Sequence, residues 1–178
     1  MHDVATGDAA AVRILVDNYV GPLSRFAGGL LNDPSEGEDV AHEAVMRLWR
    51  SAHQWRPEGR IGGWLRRAAY TISIDRLRRR GRLVEDPDGV ILDAAEAAAP
   101  DPERAAHGRE IGEAVRSAMA RLPERQRAAL LMAQLEGARG EEIAAALDIS
   151  AEAVESLLAR ARRTLRRDLA ALYADLGD

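Results

Sequence analysis

Apolar residues in this chain return every three or four positions, and no stretch alternates with period two for long enough to make a strand, so the sequence predicts an all-α fold. The first stripe runs through Val12, Leu15, Val16, Tyr19, Val20, Leu23, Phe26, Ala27, Leu30 and Leu31. A kink or break is expected within it at Gly21-Pro22, where the proline ring removes a backbone donor. The turn signal Asn32-Asp33-Pro34-Ser35 separates it from a second stripe, Val40, Ala41, Ala44, Val45, Leu48, Trp49 and Ala52. A loop containing Pro57 and three glycines spans His53 to Gly63, after which Trp64, Leu65, Ala68, Ala69 and Ile72 restore the helical period up to the arginine-rich run Arg76 to Arg82.

Between Val84 and Pro102 the apolar stripe lapses into an acidic, alanine- and proline-bearing stretch, which reads as a linker. Two small helical domains follow from this: residues 1–82 and residues 106–178, joined by residues 83–105. In the second domain, Ile111, Ala114, Val115, Ala118, Met119 and Leu122 carry the stripe, and Pro123 is expected at a first helical position, where a missing N–H is harmless. A short helix around Glu141 to Leu147, a turn at Asp148-Ile149-Ser150 and a long helix capped by Ser150 have helix-turn-helix spacing. In that last helix Val154, Leu157, Leu158, Ala161, Leu165, Leu169 and Leu172 are expected to pack inward. The opposite face presents Glu152, Glu155, Ser156, Ala159, Arg160, Arg163 and Arg167, the two-sided design a groove-reading helix needs.

The formal net charge of −4 hides a block pattern. Residues 1–55 sum to −4, residues 56–82 to +7, residues 83–120 to −6 and residues 121–178 to −1. Within the last block, five arginines between residues 151 and 167 face only Glu152 and Glu155. Two positive segments therefore flank an acidic middle, and each lies on its own amphipathic helix. All 25 basic residues are arginine, which fits a GC-rich coding bias and also suits bidentate contact with phosphate and guanine.

Absence of cysteine removes disulfides, thiolate metal sites and a cysteine nucleophile, and the four histidines lack metal-ligand spacing, so neither a metal nor another cofactor is expected. No signal peptide or membrane span is recognisable, which places the chain in the cytoplasm with no membrane insertion of its own. On the second helix Asp39, His42, Glu43, Met46 and Arg50 share one face beside the buried one. An acid-base or metal cluster there would need a pocket and an orienting partner, so a protein-docking face is the better reading, against an ordinary solvated face as the plain alternative. Arg60, Arg67, Thr71 and Arg78 form a stripe on the third helix near Trp64 and Tyr70, with His53, Gln54, Trp55 and Arg56 in the loop before it. Cations that neutralise phosphate beside rings that stack on bases suit a melted single strand, although Trp64 at such spacing is more often core than platform.

Three segments in this order resemble a bacterial RNA polymerase sigma factor of the small extracytoplasmic-function (group IV) type, and the resemblance covers nearly the whole chain. EGEDVAHEAVMRLWR (Glu36 to Arg50) is similar to the family segment that docks on the clamp helices of the largest polymerase subunit. GWLRRAAYTISIDRLRRR (Gly63 to Arg80) resembles the part of region 2 that opens and reads the minus-ten element. Leu122 to Leu165 is similar to region 4, which reads the minus-35 element and contacts the polymerase flap.

The resemblance implies polymerase binding through Asp39, His42, Glu43, Met46 and Arg50, with His42 standing where the family usually has Gln; Leu48 and Trp49 match the hydrophobic end of that motif and are expected in the core. It implies minus-ten contacts from His53, Gln54, Trp55, Arg56, Arg60, Trp64, Arg67, Tyr70, Thr71, Arg76 and Arg78, with the loop His53 to Arg60 as the specificity loop and Thr71 in a place usually taken by Asn. Minus-35 contacts are implied for Ser150, Glu152, Glu155, Ser156, Ala159, Arg160 and Arg163, while Glu155, Leu157 and Ala133 depart from frequently basic positions. A carboxylate at Glu155 repels phosphate but can accept from cytosine in the major groove.

The implied function is a non-enzymatic specificity subunit that binds core RNA polymerase and promoter DNA, both duplex and melted, and is held in check by an anti-sigma factor. A stand-alone helix-turn-helix regulator would instead form a symmetric dimer on paired half-sites and would have no need of the basic loop and helix at residues 53–82. An enzyme built on Asp39, His42 and Glu43 is the third reading.

Overall fold

The computed structural model describes residues 1–55, 60–83, 102–135 and 137–175. The expected linker, apart from its helical ends, and Arg56 of the expected specificity loop lie outside the described residues. Every regular element among the described residues is helical: α1 His2–Ala5, α2 Ala9–Leu31, α3 Pro34–Ser51, a 3-10 turn Ala52–Gln54, α4 Ile61–Leu83, α5 Pro102–Ala120, α6 Glu124–Leu135, α7 Gly140–Leu147 and α8 Ala151–Asp175. Helix α4 thus continues to Leu83, and α5 starts at Pro102, inside the stretch read as linker.

Local chemistry sets the helix ends. Asp8 accepts from the Ala11 N–H at 2.8 Å and starts α2. Asn32 ends α2 in the left-handed region (φ 55°), with its N–H on the Gly28 carbonyl; Asp33 then accepts from the Glu36 N–H at 3.1 Å, and Pro34 opens α3. One short turn therefore folds α3 back against α2. Contrary to the expected kink or break, α2 runs unbroken through Pro22. The acceptor that Pro22 deprives of its bond is the carbonyl of exposed Asn18, which water can reach, while the buried face on either side stays packed through Leu15, Leu23 and Phe26.

The core of the first half is the expected stripe: Leu23, Phe26, Ala27 and Leu30 of α2 meet Val40, Ala41, Ala44 and Leu48 of α3, with Leu65, Ala69 and Ile72 of α4 closing the third side. Gly28 and Gly37 let α2 and α3 approach until backbone meets backbone; a Cβ on Gly37 would lie 2.5 Å from both the Gly28 nitrogen and the Ser24 carbonyl oxygen. Val16 stands at the edge of the expected core, 36% exposed, and Trp49 leaves it, with 42% of its surface exposed. Trp49 follows Leu48 by one residue, a rotation of about 100° that carries it off the buried face.

In the second half Leu122 and Leu130 pack on Ala161, and Met119, Leu158 and Leu165 line the same cluster. Pro123 precedes α6 by one residue and offers its carbonyl to the Arg127 N–H at 3.0 Å, so it acts one position earlier than expected. Arg127 is itself buried and donates to the Ala120 carbonyl at 3.2 Å, fastening the end of α5 to α6; burial lowers its pKa, partly offset by Glu124. The two halves also pack together, because Ala128, Met132, Ile143, Leu147 and Val154 belong to the same apolar cluster as α2, α3 and α4. Leu131 of α6 rests against Gly29 of α2, where an added Cβ would come within 3.0 Å of its Cδ2.

Candidate functional site

On α3 the stripe Asp39, His42, Glu43, Met46 and Arg50 faces away from the core as its spacing requires. Only Glu43 of the five is partly covered. Met46 and Trp49 are exposed large apolar side chains three residues apart, so Trp49 extends this stripe. The sequence carries the signal, since positions 39, 42, 46 and 49 keep the helical step, although Trp49 also continues the apolar stripe of Val45 and Leu48. His42 Nδ1 lies 2.9 Å from the Glu38 carbonyl oxygen. Glu43 uses both oxygens: Oε1 accepts from Arg47 at 2.7 Å, and Oε2 lies 3.3 Å from Arg76 of α4. An acid-base cluster of Asp39, His42 and Glu43 would thus have its central carboxylate held between two guanidinium groups.

The basic face is built as expected for Arg67, Thr71 and Arg78 of α4, with Arg60 immediately before the helix and not on it, all exposed, and Thr71 turns its hydroxyl back onto the Arg67 carbonyl at 2.9 Å. Trp64 is half-buried and meets half-buried Trp55 edge-on, ring centroids 6.5 Å apart and planes at 73°. That contact ties the start of α4 to the residue where the 3-10 turn ends. Tyr70 is partly covered on the same helix, and His53 and Gln54 are exposed in the 3-10 turn. Arg76 differs from the expectation: its guanidinium is directed at α3, within 4.0 Å of Glu36, Asp39 and Glu43. Four residues on, one turn along α4, Arg80 pairs with Glu36 at 2.6 Å and with Asp33 at 3.5 Å.

The helix-turn-helix is α7, the turn at Asp148 to Ser150, and α8. Asp148 takes the left-handed conformation that ends α7 (φ 56°), with its N–H on the Ala144 carbonyl. Ser150 caps α8, accepting from the Ala153 N–H at 3.2 Å. The outward set Glu152, Glu155, Ser156, Ala159, Arg160 and Arg163 is exposed, and Val154 and Ala161 are fully buried behind it. The Glu152 carboxyl is held below its usual range by its own backbone N–H first and the Ser150 hydroxyl second, so it stays an anion at the start of the helix. Ile149, Ala153, Ser156, Leu157 and Arg160 line a shallow hollow with Arg125 of α6.

Contacts between the halves fall on the basic face of α4. Glu142 of α7 lies 3.3 Å from Arg60 and 3.7 Å from Arg66, and Asp148 lies 3.7 Å from Arg67. Glu142 also accepts from the Arg139 N–H at 3.0 Å. That backbone bond is the largest influence on its carboxyl; burial pushes the other way, and the charges of Arg66, Arg60 and Arg139 add to the bond, so the carboxyl is held below the ordinary range. Carboxylates of the helix-turn-helix thus occupy arginines that sequence reading assigned to strand phosphates.

A helical unit with a basic, aromatic-flanked helix, followed in the same chain by a helix-turn-helix, defines a two-part DNA-binding protein. The sigma-70 region 2 family pattern matches residues 15–83, and the sigma-70 region 4 pattern matches residues 112–165. The chain is 34% identical to the extracytoplasmic-function RNA polymerase sigma factor SigE of Mycolicibacterium smegmatis over 93% of its own length, and spans 65% of that relative. It is 31% identical to the RNA polymerase sigma-H factor of Pseudomonas aeruginosa, covering 97% of this chain and 93% of that one. The fold is similar to that of the sigma factor RpoE of Bartonella quintana, solved with the anti-sigma factor NepR (TM-score 0.69, 22% identity, 88% of this chain and 95% of that one). It is equally similar to CnrH, solved with the cytosolic domain of CnrY (TM-score 0.69, 23% identity, 96% and 94%). The chain belongs to the sigma-70 family of RNA polymerase sigma factors, in its extracytoplasmic-function branch.

Proposed function

We propose that this protein binds core RNA polymerase and directs promoter-specific initiation, with a division of labour among its helices. The exposed face of α3, Asp39, His42, Glu43, Met46 and Arg50 together with Trp49, docks on the polymerase. His53, Gln54, Trp55, Arg56 and Arg60, with the exposed face of α4 (Arg67, Thr71 and Arg78) and its Trp64 and Tyr70, hold the melted minus-ten strand by phosphate neutralisation and base stacking. Helix α8, through Ser150, Glu152, Glu155, Ser156, Ala159, Arg160 and Arg163, reads duplex DNA at the minus-35 element. The protein supplies specificity and no active site of its own, and acts in the cytoplasm beside the polymerase. No helix among the described residues is long and apolar enough to cross a membrane. Family membership further supports an anti-sigma factor as a regulating partner.

One observation carries this reading: α3 turns a mixed acidic and apolar face to solvent, Asp39 to Trp49, directly behind the core that fixes α4. An isolated solvated helix has no use for an exposed methionine and tryptophan beside carboxylates, whereas a protein-docking surface needs an apolar centre with a polar rim. Because Arg60 and Arg67 are paired with Glu142 and Asp148, those pairs must open before the two arginines can meet promoter DNA. The test is core-polymerase binding by Asp39→Arg/Glu43→Arg in the full chain. The reading predicts affinity lower by about 30-fold or more, as for lost interfacial charge contacts, with helicity retained; unchanged binding would refute the docking face.

A further inference from the structure

The carboxylates of Asp33, the N-cap of α3, and of Glu36, Asp39 and Glu43 recur every three or four residues along one side of that helix, and two arginines one turn apart on α4, Arg76 and Arg80, reach them. Arg80 holds the first pair, with Glu36 Oε1 at 2.6 Å and Asp33 Oδ2 at 3.5 Å, and its Nη1 donates to the Leu31 carbonyl at 3.1 Å. Arg76 spans the rest. Its Nη2 lies 3.3 Å from Glu43 Oε2, and its Nη1 lies 3.9 Å from Asp39 Oδ2 and 4.0 Å from Glu36 Oε2, while donating to the Glu36 backbone carbonyl at 3.5 Å. Glu36 Oε2 is buried with no hydrogen bond among the described residues, and Arg76 Nη1 lies 4.0 Å from it. Three quarters of the Arg76 side chain is covered, whereas 71% of the Asp39 side chain is open to solvent. A planar fork with five donors can serve several carboxylates at once, which a point charge cannot.

We propose that Arg76 is a positioning residue for polymerase docking and not a contact to DNA: from the strand-holding helix it fixes Glu43 and offsets the mutual repulsion of the α3 carboxylates, leaving Asp39 presented to the polymerase. This rests on the docking role of α3 proposed above. It also makes the α3–α4 interface a mechanical link, since the same helix that holds the melted strand sets the geometry of the docking face.

Two readouts on the full chain separate the roles. The first is affinity for core polymerase with no DNA present. Arg76→Gln is expected to bind about tenfold more weakly, and Arg76→Lys about threefold more weakly, because one ammonium reaches Glu43 but cannot span the set. The second is the salt dependence with which holoenzyme, assembled on saturating core, binds a single-stranded DNA pool of random sequence. A lost phosphate contact lowers the log–log slope by about 0.7, whereas a positioning role leaves it unchanged. Unaltered core affinity for both variants, or a slope reduced by about 0.7, overturns the proposal. Should Arg76→Gln fail to fold, the core affinity of Arg76→Lys decides alone, because lysine keeps the charge and its salt slope would not report a lost phosphate contact. If Asp39→Arg/Glu43→Arg abolishes core binding and the Arg76 variants do not weaken it, only the role of Arg76 falls. If the charge reversals also leave binding unchanged, the docking face falls with it.

Discussion

Replacing Gly37 by alanine tests how the first half is held together. In an exposed helix the change would stabilise the chain by about 0.5–1 kcal/mol, because alanine loses less backbone entropy on folding. Here the new Cβ would lie 2.5 Å from the Gly28 nitrogen and 2.6 Å from the Gly28 Cα, against the 3.4 Å at which ordinary contact begins. Both obstacles are backbone, so α2 and α3 must separate by about 1 Å, the shortfall in that contact. Separation loosens Leu23, Phe26 and Ala27 from Val40, Ala41 and Ala44, all buried. Overpacking of this kind costs about 1–3 kcal/mol, and with rigid backbone on the far side the upper end applies. After the propensity gain is subtracted, the net loss is about 2 kcal/mol, which lowers Tm by about 4–8 °C in a chain of this size. Gly63→Ala is the matched control, since its Cβ meets nothing within 4 Å on α4; it should gain a few tenths of a kcal/mol. Urea titrations followed by circular dichroism give both values from the midpoints at constant m. If Gly37→Ala is as stable as the parent, or moves in the same direction as Gly63→Ala, close backbone packing is not what joins α2 to α3.

Trp49→Ala should weaken core-polymerase binding by about 2 kcal/mol, as an aromatic anchor does, while changing urea stability by less than about 1 kcal/mol because the ring is 42% exposed; a large stability loss with normal binding would return Trp49 to the core. The Glu142 carboxyl is held below its ordinary value in the folded chain, so its stabilising share is complete above the unfolded value of about 4.3 and is lost as pH falls through the lower folded one. Glu142→Gln should therefore flatten the stability profile on the acid side below about pH 4, and acid unfolding curves that superimpose with those of the parent would exclude Glu142 as a contributor. Glu142→Lys/Asp148→Lys turns the attractions to Arg60, Arg66 and Arg67 into repulsions, each worth about 0.2–1 kcal/mol at an exposed site. Small-angle scattering at low salt should show a larger radius of gyration for that variant, and an unchanged radius would mean that the apolar contacts of Ala128, Leu131, Met132, Ile143 and Leu147 keep the halves together without these ion pairs.

Helix type and burial were legible because each stripe has one strong period: Leu23, Phe26 and Leu30, or Val40, Ala44 and Leu48, permit no other arrangement. The cap at Ser150 and the turn at Asn32 to Pro34 were legible because their chemistry is local. Pro22 misled, since its local cost is certain while the packing that carries α2 past it is tertiary. Trp49 misled for the opposite reason, its residue type suggesting the core while its position put it on the open face. Partners across helices were not legible at all. Nothing in the run of arginines from Arg76 distinguishes Arg76, which meets α3, from Arg78, which is exposed, until helix phase is fixed against a neighbour. The approach of Glu142 and Asp148 to Arg60, Arg66 and Arg67 joins residues about 80 apart, beyond any periodicity argument.

The most direct test of the account is run-off transcription from pooled genomic fragments of the source organism, using sigma-free core polymerase with and without this protein. A promoter-specificity subunit predicts discrete start sites that appear only when the protein is added and disappear with Asp39→Arg/Glu43→Arg. No new transcripts, together with no binding to core polymerase and a symmetric dimer on paired DNA half-sites, would contradict it and point to a stand-alone helix-turn-helix regulator.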